Sequence, residues 1–107
     1  MAVAMFMNWP GITQQQYEAV IRELNLDQNP PEGGLFHIAS LLPTGLRVVD
    51  LWESAEAFNK FSEARIAPAV KKVGIATQPT IEIHPAHNVY APGINTIGAI
   101  GASSLPR

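Results

Sequence analysis

Three residues near the middle of the chain carry side chains that could do chemistry together: His37, Asp50 and Trp52. They lie on two apolar segments separated by Pro43-Thr44-Gly45, a sequence typical of a β-hairpin turn. A turn formed by the last two of these residues places His37 directly opposite Trp52, and Ala39 opposite Asp50. Because side chains alternate along a strand, the three would share one face. We predict that His37 is a general base, that Asp50 orients it, and that Trp52 contacts an aromatic substrate.

A structural role is the alternative for the same residues. His37 and Asp50 can satisfy each other's hydrogen bonds inside an interface, or Asp50 can pair with a basic residue of a partner. A tryptophan at a strand end often belongs to the core. Asn8, at the end of the first strand, and Tyr17, on the first helix, are further candidates for substrate contact.

His84 and His87 have the H-x-x-H spacing that is found in some metal sites. On a strand, however, residues three apart point to opposite faces, and Pro85 excludes a helix. No third ligand lies nearby in the sequence, so we expect no metal site.

Composition limits the classes of protein and partner. A chain of 107 residues without cysteine is one domain with no disulfide or thiolate chemistry. The net charge of −2 and scattered basic residues argue against nucleic acid as a partner. No apolar run approaches the roughly 20 residues that span a bilayer, and the N-terminus lacks the features of a secretory signal. We therefore expect a cytoplasmic protein with no membrane segment.

Apolar periodicity and turn residues predict an α+β domain of the ferredoxin-like β-α-β-β-α-β type over residues 1–87. Its sheet would have four antiparallel strands backed by two helices. The second helix should kink near Pro68 and end at Gly74. The predicted strands cover residues 2–9, 35–42, 46–53 and 80–84, and the predicted helices cover residues 14–24 and 55–73.

The strands are apolar on both faces, although two helices can cover only one face of such a sheet. We expect the helices on the face that carries Phe36, Ile38, Leu42, Val49 and Leu51. The other face should then pack against a second sheet. Charged residues make up 15% of the chain, against about 25% in ordinary soluble domains. Both observations predict a homodimer.

Residues 88–107 form an extension rich in Gly, Ala, Ser and Ile, with almost no charge. A free extension of this kind would expose apolar surface, so we predict that it docks on the dimer. The residues that would make the contact are Val89, Tyr90, Ile94, Ile97 and Ile100.

The chain resembles the dimeric α/β-barrel superfamily in three features. These are the order of its elements, the prolines and glycines of residues 29–34, and the sequence of residues 47–54 followed by a Phe-rich helix. Within it they are most similar to the small antibiotic-biosynthesis-monooxygenase-like proteins, over residues 1–87. The resemblance implies two sheets packed face to face as an eight-stranded barrel. It says less about function, because the superfamily includes cofactor-independent oxygenases, haem-degrading enzymes, isomerases and stress proteins.

The oxygenase branch uses an asparagine on the first strand and a tryptophan near the second helix, which Asn8 and Trp52 loosely match. The haem-degrading branch has an axial histidine on the second helix, and this chain has none between Ala55 and Val73. No nucleotide-binding glycine motif is present. We therefore predict a cofactor-independent monooxygenase-like enzyme for a small apolar or aromatic compound. The alternatives are a non-catalytic dimeric module that binds a small hydrophobic ligand or a protein, and a stress-related dimer with a filled barrel.

Overall fold

Four strands and the helices between them follow the ferredoxin-like β-α-β-β-α-β order, which confirms the predicted fold class. The computed structural model describes residues 1–97. The strands pair antiparallel in the order β2-β3-β1-β4. The elements are β1 (Val3–Pro10), α1 (Gln14–Leu24), β2 (Gly34–Leu42), β3 (Gly45–Trp52), α2 (Ala55–Phe61), a π-helical segment (Ser62–Ile66), α3 (Ala67–Val73) and β4 (Thr80–Pro85).

The helix ends follow local sequence signals. At the start of α1, Thr13 and Gln16 form a capping box, in which each residue satisfies a backbone N–H of the other. Ser54 caps α2 by accepting a hydrogen bond from the backbone N–H of Ala57. Pro68 lies in the first turn of α3, where its missing N–H costs little, and the π-helical segment precedes it. Gly74 ends α3 in the left-handed conformation, as predicted.

The β2–β3 hairpin has a different register from the predicted one. Leu42 pairs with Gly45, so the turn consists of Pro43 and Thr44, and His37 lies opposite Asp50 instead of Trp52. Gly45 is already part of β3, with a φ of +143°, and a Cβ there would collide with the carbonyl oxygen of Trp9. Gly45 is needed for its close approach to β1, which is why it does not serve as a turn residue. The shift is by two positions and therefore leaves each side chain on its predicted face.

The helices cover the opposite face from the one we predicted. The covered face carries Met5, Val48 and Trp52, which are buried. Phe6 and Ile38 point the other way and are 43% and 48% exposed. The prediction was wrong because it assigned the more purely apolar face to the helices and the face with His37 and Asp50 to a second sheet. Polar side chains can lie in a core when their hydrogen bonds are satisfied there, as those of Asp50 are.

The core between the sheet and the helices forms two neighbouring clusters. The larger contains β1 and β3 side chains with Phe58 of α2, and the smaller joins Ile21 and Leu24 of α1 to Ala69 of α3. No helix in residues 1–97 is long and apolar enough to cross a bilayer.

Residues 88–97, the described part of the extension, contain turns and a single 3₁₀ position. Val89, Tyr90 and Ile94 are exposed in the single chain, Tyr90 by 82%. Docking of the extension on a partner therefore stays a prediction. Ile100 lies outside the described residues.

Candidate functional site

A cavity of about 260 Å³ lies between the helices and the covered face of the sheet. Strands β1, β2 and β3 form its floor, and its walls come from α1, α2, the π-helical segment and the loop that contains Leu26 and Pro31. Most lining side chains are aliphatic or aromatic. The ionisable residues that line it are Tyr17, His37 and Asp50, and Trp9 and Trp52 are also among the lining residues.

His37 and Asp50 form the central pair of the site. They face each other across the β2–β3 ladder, and His37 Nδ1 lies 2.6 Å from Asp50 Oδ1. The Asp50 side chain is 9% exposed, whereas that of His37 is 42% exposed. An ionised carboxylate can only accept hydrogen bonds, so Nδ1 carries the hydrogen of this contact. When the ring is neutral, Nε2 is its basic nitrogen.

The second carboxylate oxygen of Asp50 is also satisfied. Trp52 Nε1 donates to Asp50 Oδ2 over 3.0 Å, and the Trp52 side chain is buried. Residues 50 and 52 alternate with an outward-facing residue on β3, which brings both side chains to the same face. Within residues 1–97 no buried side-chain nitrogen or oxygen lacks a partner. Asp50 is thus held in one orientation by two donors.

Tyr17 extends this chain of hydrogen bonds from the helix side. Its hydroxyl oxygen lies 2.7 Å from His37 Nε2, and the two rings are nearly parallel. Burial, with a smaller contribution from the charge of Asp50, raises the pKa of Tyr17 to about 12. The hydroxyl therefore keeps its hydrogen near neutral pH. With a neutral His37 ring whose one hydrogen is on Nδ1, Nε2 can only accept, so the hydroxyl donates to it. The sequence of bonds is Tyr17 to His37 to Asp50, with Trp52 as the second donor to Asp50.

Aromatic rings surround Trp52 on the helix side. Phe58 meets it edge to face and Phe61 lies tilted against it, each with a centroid distance of 5.5 Å. The Arg65 guanidinium lies 4.9 Å from the centre of the Phe61 ring and donates to the Leu24 carbonyl at the end of α1. The wall of the cavity is therefore tied to both α1 and the π-helical segment.

The structure brings together four of the five sequence-predicted site residues: His37, Asp50, Trp52 and Tyr17. Asn8 does not join them. It lies on the uncovered face of the sheet, between the buried Met7 and Trp9, and outside the cavity.

His84 also lies on the uncovered face, where it contacts Glu82 over 3.1 Å. No group of three or more potential metal ligands occurs within residues 1–97.

The aromatic and methionine residues of the wall were not among the predicted site residues. Phe58 and Phe61 are three residues apart, so they lie on one side of the helical segment. Met5 and Met7 alternate on β1 toward the same cavity. This spacing is present in the sequence, but it is typical of a core as well as of a cavity wall. Only the gap between the sheet and the helices in the structure distinguishes these two interpretations.

Comparison with known proteins finds relatives in structure and none in sequence. No protein-family model matches the chain, and no curated protein matches it significantly. Among solved structures, SnoaB, a cofactor-independent oxygenase from Streptomyces nogalater, aligns with a TM-score of 0.57 and 11% identity. The alignment covers 82% of this chain and 94% of SnoaB.

Two further structures agree with this match. A candidate antibiotic biosynthesis monooxygenase from Deinococcus radiodurans aligns with a TM-score of 0.56 and 11% identity, over 84% of this chain and 96% of that one. A dimeric ferredoxin-like protein of unknown function from Thermobifida fusca aligns with a TM-score of 0.58 and 11% identity, over 80% and 92%.

The chain has the fold of these proteins. The resemblance noted in the sequence is thereby confirmed at the level of fold. Identities this low carry no information about which residues act, so the function must be argued from the cavity itself.

Proposed function

We propose that the protein is a cofactor-independent monooxygenase-like enzyme in which His37 removes a proton from a small, largely apolar ring compound. The observation that carries this proposal is the hydrogen bond from His37 Nδ1 to the buried Asp50 carboxylate. It leaves Nε2 as the basic nitrogen at the polar end of an otherwise apolar cavity. A carboxylate that holds the ring and stabilises the imidazolium is the usual support of a histidine base.

The size of the cavity sets the size of the compound. An apolar cavity of about 150 Å³ holds one benzene ring. A volume of about 260 Å³ therefore suits a molecule of roughly two fused rings. Phe58, Phe61 and Trp52 offer ring faces and edges to such a molecule.

The chemistry balances without a cofactor. Loss of a proton from an enol or phenol gives an anion whose charge is shared with a ring carbon. That carbon reduces O₂ and forms a C–O bond, and the resulting peroxide anion takes the proton back from His37. Elimination of water from the hydroperoxide breaks the O–O bond and leaves a carbonyl. Overall, one CH₂ group of the keto form and one O₂ become one C=O and one H₂O.

Oxygen consumption with a panel of one-ring and two-ring hydroxyarenes tests the proposal. A positioned general base contributes about 10²–10⁴-fold, so His37→Ala should lower the turnover rate by at least about 100-fold while the ligand still binds. His87→Ala, a change at an exposed histidine outside the cavity, is the matched control and should retain the wild-type rate. An unchanged rate in His37→Ala contradicts the proposal.

One observation favours the alternative of a non-catalytic module that binds a hydrophobic ligand. The Tyr17 hydroxyl already occupies His37 Nε2, so every polar group of this hydrogen-bonded chain has a partner without any substrate. Ligand binding by calorimetry, combined with no oxygen consumption for any compound that binds, would support this alternative over the enzyme.

We also propose that two chains pair through the uncovered face of the sheet. Phe6 and Ile38 are exposed there beside the half-buried Phe36, Val49 and Leu51. An apolar sheet face of this kind is normally covered. Light scattering should give twice the chain mass of 11.6 kDa at micromolar concentration. Ile38→Glu should shift the mass toward that of the single chain, and a monomeric wild-type protein would contradict the pairing.

A further inference from the structure

The polar end of the cavity is acidic and has no cationic side chain. Its ionisable lining residues are Tyr17, His37 and Asp50, and no lysine or arginine is among the described residues that line it. A bound anion would face the Asp50 charge in an apolar surrounding with no cation to pair with. The cavity therefore favours a neutral molecule over a carboxylate or phosphate.

The hydrogen bonds of the site run in one direction. Asp50 accepts from both His37 Nδ1 and Trp52 Nε1, and the neutral ring of His37 then accepts at Nε2 from Tyr17. The Tyr17 hydroxyl has only one hydrogen, and it is donated to His37. What the hydroxyl still offers to the cavity is the lone pairs of its oxygen, which need a donor.

This direction of the hydrogen bonds holds while the His37 ring is neutral, because Nε2 then offers only a lone pair. The pKa of Tyr17 is raised to about 12 by burial first and by Asp50 second, so the hydroxyl stays protonated. Tyr17 also lies at the polar end of the cavity with His37, beside an apolar wall that can hold the rings of a ligand. A ligand with an O–H or N–H group can thus donate a hydrogen bond to the Tyr17 oxygen, whereas an ether or a carbonyl cannot.

We infer that Tyr17 is the specificity-determining residue of the cavity, whose oxygen accepts a hydrogen bond from a neutral ring compound that carries an O–H or N–H group. This inference adds a substrate preference to the proposed function. It depends on the proposed function in one respect, which is that the proton of the ligand ends on His37. When the ligand ionises, Tyr17 receives the ligand's proton as it gives its own to His37 Nε2. One proton reaches His37, and Tyr17 ends unchanged.

Calorimetric binding of three matched compounds tests the inference: 2-naphthol, 2-methoxynaphthalene and 2-naphthoate at pH 7. Wild-type protein should bind the naphthol about tenfold more tightly than the ether, the usual range for one hydrogen bond. It should bind the naphthoate at least about tenfold more weakly than the naphthol. Tyr17→Phe should remove the difference between naphthol and ether and leave the affinity for the ether within about twofold. Tyr90→Phe, which alters an 82% exposed tyrosine, should bind as the wild type does.

Several outcomes would overturn the inference. Equal wild-type affinity for naphthol and ether, a naphthoate that binds as tightly as the naphthol, or no binding of any of the three would each do so. These measurements on the wild type stand even where Tyr17→Phe fails to fold, which its thermal unfolding curve would show. A Tyr17→Phe variant that folds and still discriminates would mean that the ligand reaches His37 directly.

The same set of variants separates this inference from the proposed function. Discrimination by the wild type, lost in Tyr17→Phe, supports Tyr17 whatever the oxygen-consumption assay shows. If His37→Ala then leaves turnover unchanged, the enzyme proposal fails and the specificity of the cavity stands. If turnover depends on His37 but the wild type has no preference for donors, the enzyme proposal stands and the role of Tyr17 fails.

Discussion

Replacing Asp50 by Asn should reverse the hydrogen bonds of the site while the fold is retained. The amide oxygen can still accept from Trp52 Nε1, and the amide NH₂ then faces His37 Nδ1. Two donors cannot share a hydrogen bond, so His37 should change tautomer, with its hydrogen moving to Nε2. The Nε2–H group would then donate to Tyr17. In that state Nε2 is no longer a base.

The magnitudes follow from the number and kind of bonds that change. No group loses its partner in Asp50→Asn, but two bonds to a charged acceptor become neutral, which we expect to cost about 1–2 kcal/mol in the free energy of unfolding. Asp50→Ala instead leaves the N–H of the 3% exposed Trp52 without an acceptor and opens a small void. We expect it to cost about 3 kcal/mol. Turnover in Asp50→Asn should fall by about 10²–10⁴-fold, because the base is lost.

Nitrogen-15 NMR of the His37 ring is the direct assay, since it distinguishes the two tautomers. The wild type should carry its hydrogen on Nδ1 and Asp50→Asn should carry it on Nε2. Urea unfolding gives the stability difference. A wild-type ring with its hydrogen on Nε2 would refute the reasoning, because the whole chain of donors and acceptors would then run the other way.

Three further outcomes follow from single contacts. Because the pKa of Tyr17 is raised from 10.0 to about 12, its stabilising effect should be complete below pH 10 and lost as the pH rises toward 12. Urea midpoints of the wild type should fall more steeply in that window than those of Tyr17→Phe. Arg65→Met should lower stability by about 1–2 kcal/mol, because it loses a bond to the last carbonyl of α1 and a contact with an aromatic ring. Lys72→Ala, which breaks an exposed ion pair, is its control and should change little in the same thermal melts. Gly45→Ala should destabilise more than Gly74→Ala in those melts, since both have positive φ but a Cβ has open space only at Gly74.

The sequence predicts the order of the elements well because each has a local cause. These local causes include the capping residues of α1, the glycine after α3 and the prolines near β4. Each acts on residues close to it in sequence, so it can be recognised without knowledge of the fold. The hairpin register is different. Both Pro43-Thr44 and Thr44-Gly45 are plausible turns, and the choice depends on how closely Gly45 approaches β1, a contact distant in sequence.

The face covered by the helices was not predictable from polarity alone. Asp50 and His37 made their face look like the polar one, while Tyr17 on α1 supplies the partner that allows both to face the helices. That pairing joins residues 20 positions apart, and alternation along a strand contains no information about it. The grouping of His37, Asp50 and Trp52 was predictable nevertheless, because it depends only on the alternation of side chains along each strand. A two-residue shift in the β2–β3 pairing leaves every side chain on the same face.

The arrangement around Asp50 is better explained by chemistry than by stability. A buried ionic group is rarely more stabilising than a well-packed apolar residue of similar size, so stability alone would favour a leucine at this position. A purely structural His–Asp pair also needs no space beside it, yet a cavity of about 260 Å³ adjoins Tyr17 and His37. Side chains that line such a cleft lack packing contacts that a filled interior would supply. A carboxylate-supported histidine beside an apolar cleft is the arrangement that the proposed base requires.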